Sequence, residues 1–172
     1  MLPLPEVEAV LRPFAPTDAS ALAQHANDRS IWLNLRDRFP HPYAVADAEA
    51  YIAMATAADE HDLHLCIDVA GEAVGCISLL FKQDVSRRSA EIGYWLGREV
   101  WGRGIGTAAV RALAAHGFAH HDLARIYAVV FAYNAASGRV LEKAGFDFEA
   151  RLRQAVTKDG QTVDGLLYAV VR

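Results

Sequence analysis

A chain of 172 residues is the usual length of one domain, and its 53% apolar and 22% charged residues are typical of a globular protein. The net charge of −4, with lysines and arginines scattered along the chain, argues against nucleic acid as the main partner. No apolar run reaches the roughly 18 residues of a membrane span, and the first residues lack the basic region of a signal peptide. We therefore expect a single cytoplasmic domain over residues 1–172, without a membrane partner.

The first third of the chain predicts one strand followed by helices. Residues 7–14 alternate weakly between apolar and polar side chains, which is typical of a strand. Residues 16–18 then begin a helix with a capping residue, and residues 31–35 predict a short second helix. Two prolines keep residues 36–43 in a loop, and a third helix covers about residues 46–58.

The remainder of the chain predicts a sheet with two more helices, over residues 107–118 and 134–143. Gly145 ends the second of these in the usual C-terminal manner. The predicted strands cover residues 63–69, 73–82, 90–96, 125–133, 146–157 and 162–171. This order is a mixed α/β layout, without repeats or a linker.

Three glycines, Gly102, Gly104 and Gly106, lie where the chain passes from the strand at 90–96 to the helix at 107–118. Glycine lets the backbone approach a ligand closely. The first amides of a helix have no partner within the helix, and together they carry about half a positive charge. Such a turn is an anion site, most often for phosphate, and Arg103 adds a cation beside it.

The segment at 104–109 also fits the G-x-G-x-x-A form of the dinucleotide fingerprint. That motif needs a tight turn directly after the strand, whereas residues 98–103 intervene here. It also needs an acidic residue at the end of the next strand, and the strand at 125–133 is followed by Asn134. A nicotinamide-dependent dehydrogenase is therefore a weaker alternative.

Two blocks of the sequence resemble a known family. Residues 91–96 (EIGYWL) and 101–108 (WGRGIGTA) resemble the core motif of the GCN5-related N-acetyltransferases, whose Q/R-x-x-G-x-G/A signature falls on Arg103, Gly106 and Ala108. The second block, N-x-x-S at 134–137 and E-K-x-G-F at 142–146, is similar to the RimJ/RimL-like branch, which acetylates ribosomal-protein N-termini. The Pro-His-Pro-Tyr run at 40–43 resembles the loop that precedes a helix in that branch.

The resemblance implies an α/β (α+β) fold with a mixed, mostly antiparallel central sheet. It implies six or seven strands, splayed between the two central ones, and about four flanking helices. It also implies a bulge near residues 94–96, which Gly93 and Gly97 would permit and which would free backbone groups for a ligand.

The resemblance further implies acetyl-CoA as co-substrate. The amides of residues 102–107 suit its diphosphate, and the amides of its pantetheine arm pair with a strand in the manner of an added strand. Arg139 and Lys143 would reach the nucleotide end, although they need no such role as solvated helix charges. The predicted cofactor-binding residues are Trp95, Leu96, Gly97, Trp101, Gly102, Arg103, Gly104, Ile105, Gly106, Thr107, Ala108, Asn134, Ser137, Arg139 and Lys143.

The implied reaction moves an acetyl group from acetyl-CoA to a primary amine, on a protein N-terminus or a small molecule. The amine would attack directly in a ternary complex, since no activated cysteine nucleophile is apparent. The alternative is a non-catalytic, CoA-binding regulatory module. A homodimer is left open by the sequence.

Glu91 is the first candidate for the base that takes the amine's proton through a water, because a carboxylate in mid-strand is costly without a partner or a role. Its alternative is a structural ion pair with Arg87, Arg88 or a helix residue.

Asn134 and Ser137 lie three residues apart at a helix start, where capping explains both. The resemblance implies instead that Asn134 binds pantetheine and that Ser137 faces the thiol as an acid. Tyr133 is a weaker acid candidate, and the amide near Leu96 would polarise the thioester carbonyl.

The irregular region before the third helix predicts the acceptor site, because such loops often bind substrates. Asp164 is either a second amine contact or a surface charge.

His116 and His120 have i, i+4 spacing without the glutamate of a zinc motif, so no metal is expected. Cys66 and Cys76 are expected to be reduced thiols, and a disulfide between them across a hairpin is the alternative.

Within the irregular region before the third helix, the residues predicted to bind the acceptor are Trp32, Arg36, Phe39 and Tyr43.

Overall fold

A computed structural model of the chain describes residues 1–57 and 61–172. In these residues, five α-helices and eight β-strands form one sheet with helices on both faces. The helices are α1 (Ala19–Ala26), α2 (Arg29–Trp32), α3 (Val45–Ala55), α4 (Ile105–His120) and α5 (Ala135–Lys143). The strands are β1 (Leu2–Leu4), β2 (Ala9–Arg12), β3 (Leu63–Val69), β4 (Glu72–Phe81), β5 (Ser89–Leu96), β6 (Arg125–Phe131), β7 (Asp147–Lys158) and β8 (Gln161–Val171).

The strand order is β1-β2-β3-β4-β5-β6-β8-β7, and of these pairings only β5 with β6 is parallel. The prediction of a mixed, mostly antiparallel sheet is confirmed. The strand count exceeds the predicted six or seven because β1 pairs with β2 at the edge. This strand has three residues and contains Pro3, so its sequence carries no strand signal, and an edge is where proline is tolerated in a sheet.

Several predicted element boundaries are wrong, among them those of the helix predicted at 31–35, which is α2 at Arg29–Trp32. The strand predicted at 7–14 covers only residues 9–12, because residues 5–7 form a 3₁₀ turn that ends at Glu8 with φ +50°. The predicted helix at 46–58 is α3, which ends at Ala55; its predicted last residue, Ala58, lies outside the described residues.

The sheet opens between its two central strands. Strand β5 pairs with β6 only from Ser89 to Glu91, where Glu91 stands opposite Tyr127. Beyond that point β5 continues to Leu96 while bonded to β4, and β6 continues to Phe131 while bonded to β8. The two strands therefore part and leave one edge of each facing a gap, as predicted.

The predicted bulge in β5 is wrong. The register of β5 against β4 runs without a shift from Ala90 to Leu96. The unpaired edge arises instead from the divergence of β6, which stays bonded to β8 along its whole length and leaves β5 after Tyr127.

Apolar side chains fix the helices on both faces of the sheet. On one face, α4 buries Ile105 and Leu113 against the strands, in a core that includes Leu79 and Ile126. On the other face, α1 and α3 pack on β3 and β4 through residues such as Leu22. The gap between β5 and β6 therefore lies between two rigid layers. Within the described residues, no helix is long and apolar enough to cross a membrane.

The two cysteines stand opposite each other across β3 and β4. Cys66 and Cys76 are register partners, and both are buried free thiols. Burial raises the pKa of each thiol to about 12, so both stay protonated at neutral pH. Both thiols therefore pack in the core between the sheet and helices α1 and α3, and neither is expected to act as a nucleophile.

Candidate active site

A cleft of about 1390 Å³ extends from the gap between β5 and β6. Most of the residues predicted to bind a cofactor line it, together with Glu91 and three of the four predicted acceptor residues. The lining cofactor residues are Trp95, Leu96, Trp101, Gly102, Gly104, Ile105, Gly106, Thr107, Ala108, Asn134, Ser137, Arg139 and Lys143.

The edge of β5 offers backbone groups to this cleft. Ser89 and Gly97 direct their backbone groups towards β4, since the Ser89 carbonyl accepts from Lys82 and the Gly97 amide donates to Val74. Peptide groups alternate in direction along a strand, so those of Tyr94 and Leu96 point into the gap. The Leu96 carbonyl accepts from the Trp101 indole at 2.8 Å. The amides of Tyr94 and Leu96 remain as donors for an extended ligand.

The start of α4 also lines the cleft. Its first internal hydrogen bond runs from the Ala108 amide to the Gly104 carbonyl, at 3.1 Å. Within the described part of the chain, the amides of residues 102–107 have no acceptor. Gly102 and Gly104 have φ values of +75° and +80°, which only glycine adopts without strain. Six consecutive unpaired amides therefore lie at the N-terminus of a 16-residue helix, which is the positive end of its dipole.

Two predicted cofactor residues, Gly97 and Arg103, lie outside the cleft wall. Gly97 is buried against His25, and a Cβ built on it would lie 2.4 Å from the His25 Nδ1 atom. Arg103 is exposed in the turn before α4. Arg111 does line the cleft, where it donates to Glu6 and to the Lys143 carbonyl. Arg111 lies four residues after Thr107 on α4, and this i, i+4 spacing would have predicted that both residues lie on the same face of the helix.

Glu91 lies at the fork, where β5 and β6 part, and its side chain is 13% exposed. One carboxylate oxygen accepts from Arg36, and the other accepts from Lys82 at 3.1 Å. The predicted structural partners, Arg87 and Arg88, are wrong: Arg88 pairs with Asp122, and Arg87 donates to a backbone carbonyl. Arg36 reaches Glu91 from the acceptor loop, so this ion pair spans the cleft.

Asn134 caps α5. Its side-chain oxygen accepts from the Ser137 amide at 3.2 Å, so the capping interpretation of Asn134 is confirmed. Both residues also line the cleft. The cap fixes the first turn of α5, and with it the direction of the Ser137 side chain.

Tyr94 is a cleft residue that the sequence analysis did not single out. Its hydroxyl lies 2.7 Å from the Ser137 Oγ atom and 3.3 Å from the Ser137 carbonyl. Burial raises the pKa of Tyr94 to about 12, against the opposing effect of the hydrogen bond to Ser137. The alternation of β5 places Tyr94 on the same face as Ile92 and Leu96, and that was the available signal.

The acceptor loop covers the other end of the cleft. Arg36, Phe39 and Tyr43 line it, and the Phe39 ring packs against both Tyr43 and Trp95. Trp32 does not line it. The buried Lys158 ammonium lies 3.8 Å from the centre of the Trp32 ring, so Trp32 joins the loop to the β7–β8 hairpin.

Three further contacts hold the acceptor loop to the second half of the chain. Lys158 forms an ion pair with Asp37 at 2.9 Å, and Asp159 forms one with Arg29 at 2.5 Å. The Tyr133 hydroxyl donates to the Leu33 carbonyl, outside the cleft wall. Asp164 is also outside, bonded to Arg151 and to the Gln154 amide.

A polar group that sequence analysis missed lies deeper in the acceptor end. The Tyr51 hydroxyl is 3.1 Å from the His64 Nδ1 atom and 2.8 Å from the Cys76 Sγ atom. Burial is the main cause that raises the pKa of Tyr51 well above its ordinary range. These residues come from α3, β3 and β4, and no local pattern connects them.

The rings of His116 and His120, near the end of α4, have centres 4.4 Å apart and planes tilted by 38°. Across residues 1–57 and 61–172, no three His, Cys, Asp or Glu side chains are grouped closely enough to hold a metal ion.

The family model of the acetyltransferase (GNAT) domain matches residues 9–147. The chain therefore belongs to the GNAT acetyltransferase family. Among curated proteins, it is 40% identical over 85 residues to YoaA of Bacillus subtilis, an uncharacterised N-acetyltransferase, covering 49% of this chain and 48% of YoaA. It is 35% identical over 89 residues to p20 of Bacillus licheniformis, also an uncharacterised N-acetyltransferase, covering 52% and 50%. The matches thus span about half the length of these relatives.

Among solved structures, the chain is similar to Mycobacterium smegmatis RimJ in complex with CoA-disulfide, with 30% identity and a TM-score of 0.85 over 97% of this chain and 83% of RimJ. It is 25% identical to the microcin C7 self-immunity acetyltransferase MccE in complex with acetyl-CoA and AMP, with a TM-score of 0.83 over 96% and 93%. The ribosomal L7/L12 acetyltransferase RimL, at 22% identity, shares the fold with a TM-score of 0.86 over 99% and 97%. The RimJ/RimL-like branch is the part of the family that the chain resembles.

Proposed function

We propose that this chain transfers an acetyl group from acetyl-CoA to a primary amine, by direct attack in a ternary complex. One observation carries the proposal: a single cleft joins the parted edge of β5 to the unpaired amides at the start of α4. A ligand that carries a diphosphate at one end and a chain of amides at the other matches both features. CoA has this composition, and RimJ and MccE were solved with CoA or acetyl-CoA bound.

The cleft residues fit acetyl-CoA by charge and by hydrogen bonding. The amides of residues 102–107 would hold the diphosphate, where the end of α4 supplies partial positive charge. Arg139 and Lys143 line the same end, and their side chains make no ion pair with any described residue. The Tyr94 amide would pair with pantetheine, and the Leu96 amide is left for the thioester carbonyl. Acetyl-CoA, when bound, supplies the activated acetyl group as a thioester.

Three residues would carry the chemistry. The Leu96 amide would donate to the thioester oxygen as negative charge develops on it. Glu91 would receive a proton from the amine through a water, provided that the acceptor displaces Arg36 from its carboxylate. Ser137, fixed by the Asn134 cap, would donate to the leaving sulfur.

The acceptor would enter beside the loop that carries Arg36, Phe39 and Tyr43. A protein N-terminus or a small-molecule amine fits this end, and RimL, whose name gives ribosomal L7/L12 as its substrate, shares the fold. The ion pair of Arg36 with Glu91 already places a cation at this carboxylate, which supports an amine acceptor here. We place the activity in the cytoplasm, where buried thiols such as Cys66 stay reduced. A homodimer remains a prediction.

The proposed activity is tested by measuring CoA release with a panel of amines and N-terminal peptides. We expect turnover by the wild-type chain with at least one acceptor, and a loss of roughly 10²-fold or more for Glu91→Gln. Ser137→Ala should lose less, because a hydroxyl donor is partly replaced by water. A suitable control is Glu149→Gln, since Glu149 pairs with Arg125 outside the cleft.

Thermal stabilisation of the chain by acetyl-CoA or by NAD distinguishes the acetyltransferase from the two alternative functions. Stabilisation by acetyl-CoA without turnover on any amine would contradict the proposal and favour a CoA-binding module. Stabilisation by NAD but not by CoA would favour the dehydrogenase.

A further inference from the structure

We propose that Tyr94 is a positioning residue that directs the Ser137 hydroxyl hydrogen towards the leaving sulfur; this inference rests on the proposed function. Among the described residues, the Ser137 hydroxyl has one hydrogen-bond partner, the Tyr94 hydroxyl, which lies 2.7 Å from its oxygen. The direction of the hydrogen in this pair decides whether Ser137 can serve the reaction.

Two arrangements of the pair exist. If Ser137 donates to Tyr94, its hydrogen points away from the cleft, and no donor faces the sulfur. If Tyr94 donates to the Ser137 oxygen, the serine hydrogen is free to point into the cleft. A phenol is the stronger donor and weaker acceptor of the two hydroxyls, so the second arrangement is favoured.

The surroundings of Tyr94 support this arrangement. Its ring packs into the apolar core beneath β5, so the hydroxyl has little freedom to move away from α5. Burial keeps the phenol protonated at neutral pH, because it raises the pKa to about 12. The Ser137 carbonyl is a more distant acceptor for the tyrosine hydrogen, at 3.3 Å, than the Ser137 Oγ atom at 2.7 Å, so the hydrogen is directed to Oγ.

Ser137 in turn has a fixed position. It lies in the first turn of α5, and the Asn134 side chain accepts from its amide. The cap therefore fixes the backbone of Ser137 while Tyr94 fixes its hydroxyl. The serine then donates a hydrogen bond to the sulfur as the carbon–sulfur bond breaks and the electron pair moves to sulfur. The Tyr94 hydroxyl itself does not touch the substrate.

The test compares Tyr94→Phe, Ser137→Ala and the double variant in steady-state CoA release. Tyr94→Phe should lower kcat roughly tenfold, and the KM and Kd for acetyl-CoA should change less than twofold. The double variant should be no slower than Ser137→Ala alone, because Tyr94 acts only through Ser137.

Tyr168→Phe is the matched control. The Tyr168 ring also packs against α5, and its hydroxyl is 3.4 Å from the Glu142 carboxylate, outside the cleft wall. This variant should keep the wild-type kcat. An unchanged kcat in Tyr94→Phe, a loss equal to that of Tyr168→Phe, or additive losses in the double variant would overturn the inference while leaving the proposed function intact. Absence of turnover by the wild-type chain would instead overturn the proposed function, and the inference with it.

Discussion

Replacing Gly75 by alanine is expected to lower the free energy of unfolding by about 3 kcal/mol or more. A Cβ built on Gly75 would lie 2.3 Å from the Trp95 carbonyl oxygen and 3.1 Å from the Leu96 Cα atom. Both atoms belong to the backbone of β5, so they cannot yield by rotating a side chain. Strands β4 and β5 would have to separate where β5 borders the cleft, and acetyl-CoA binding should weaken as well. Urea denaturation and calorimetry measure the two effects.

Gly93→Ala is the matched control for stability. Gly93 lies two residues before Trp95 on β5, and a Cβ there would meet only the Ser78 hydroxyl, at 3.7 Å. Its free energy of unfolding should therefore stay within about 1 kcal/mol of wild type. If Gly75→Ala were as stable as Gly93→Ala, the close approach of β4 to β5 would be contradicted.

Replacing Arg12 by methionine is expected to cost about 3–5 kcal/mol of stability at neutral pH. The Arg12 guanidinium contacts Asp18 at 2.8 Å and Asp68 at 2.7 Å, and the three side chains are 19%, 8% and 8% exposed. Removing the arginine leaves two carboxylates buried without their cation. The control is Arg88→Met, because Arg88 and Asp122 are exposed partners whose loss should change stability by less than about 1 kcal/mol.

The cost of Arg12→Met should depend on pH. The hydrogen bonds from Arg12 hold the pKa of Asp18 below its ordinary value of 3.8. A carboxyl whose pKa is lowered by folding adds stability above its unfolded pKa, and this stability is lost as the pH falls through the folded pKa. The difference between wild type and variant should be full above about pH 5 and should shrink as the solution is acidified below pH 4. A difference that stayed constant down to pH 2 would contradict the role of this ion pair.

The start of α4 is the part of the site that the sequence predicts best. The positive φ values at Gly102 and Gly104 are local properties of these two residues, and the presence of glycine in the sequence predicts them. Asn134 at the start of α5 is equally local, since its partner is three residues away. Such features depend on neighbouring residues alone.

The errors concern contacts between distant parts of the chain. Trp32 was predicted to bind the acceptor because it lies in a loop, yet the hairpin that holds this loop supplies Lys158, 121 residues from its ion-pair partner Asp37. The partners of Glu91 were expected among neighbouring charges, whereas Arg36 arrives from a different element. The opening of β5 was attributed to a local bulge, but it depends on the path of β6. These arrangements follow from packing, which no local pattern encodes.

Amide hydrogen exchange, measured with and without saturating acetyl-CoA, tests the central claim most directly. The amides of residues 102–107, together with those of Tyr94 and Leu96, have no partner in the described structure and should exchange fast in the free chain. Acetyl-CoA should slow exchange at both groups of amides while leaving the exposed turn at 159–160 unchanged. If saturating acetyl-CoA protected neither group, or protected amides only outside the cleft, the placement of the co-substrate between β5 and β6 would be contradicted.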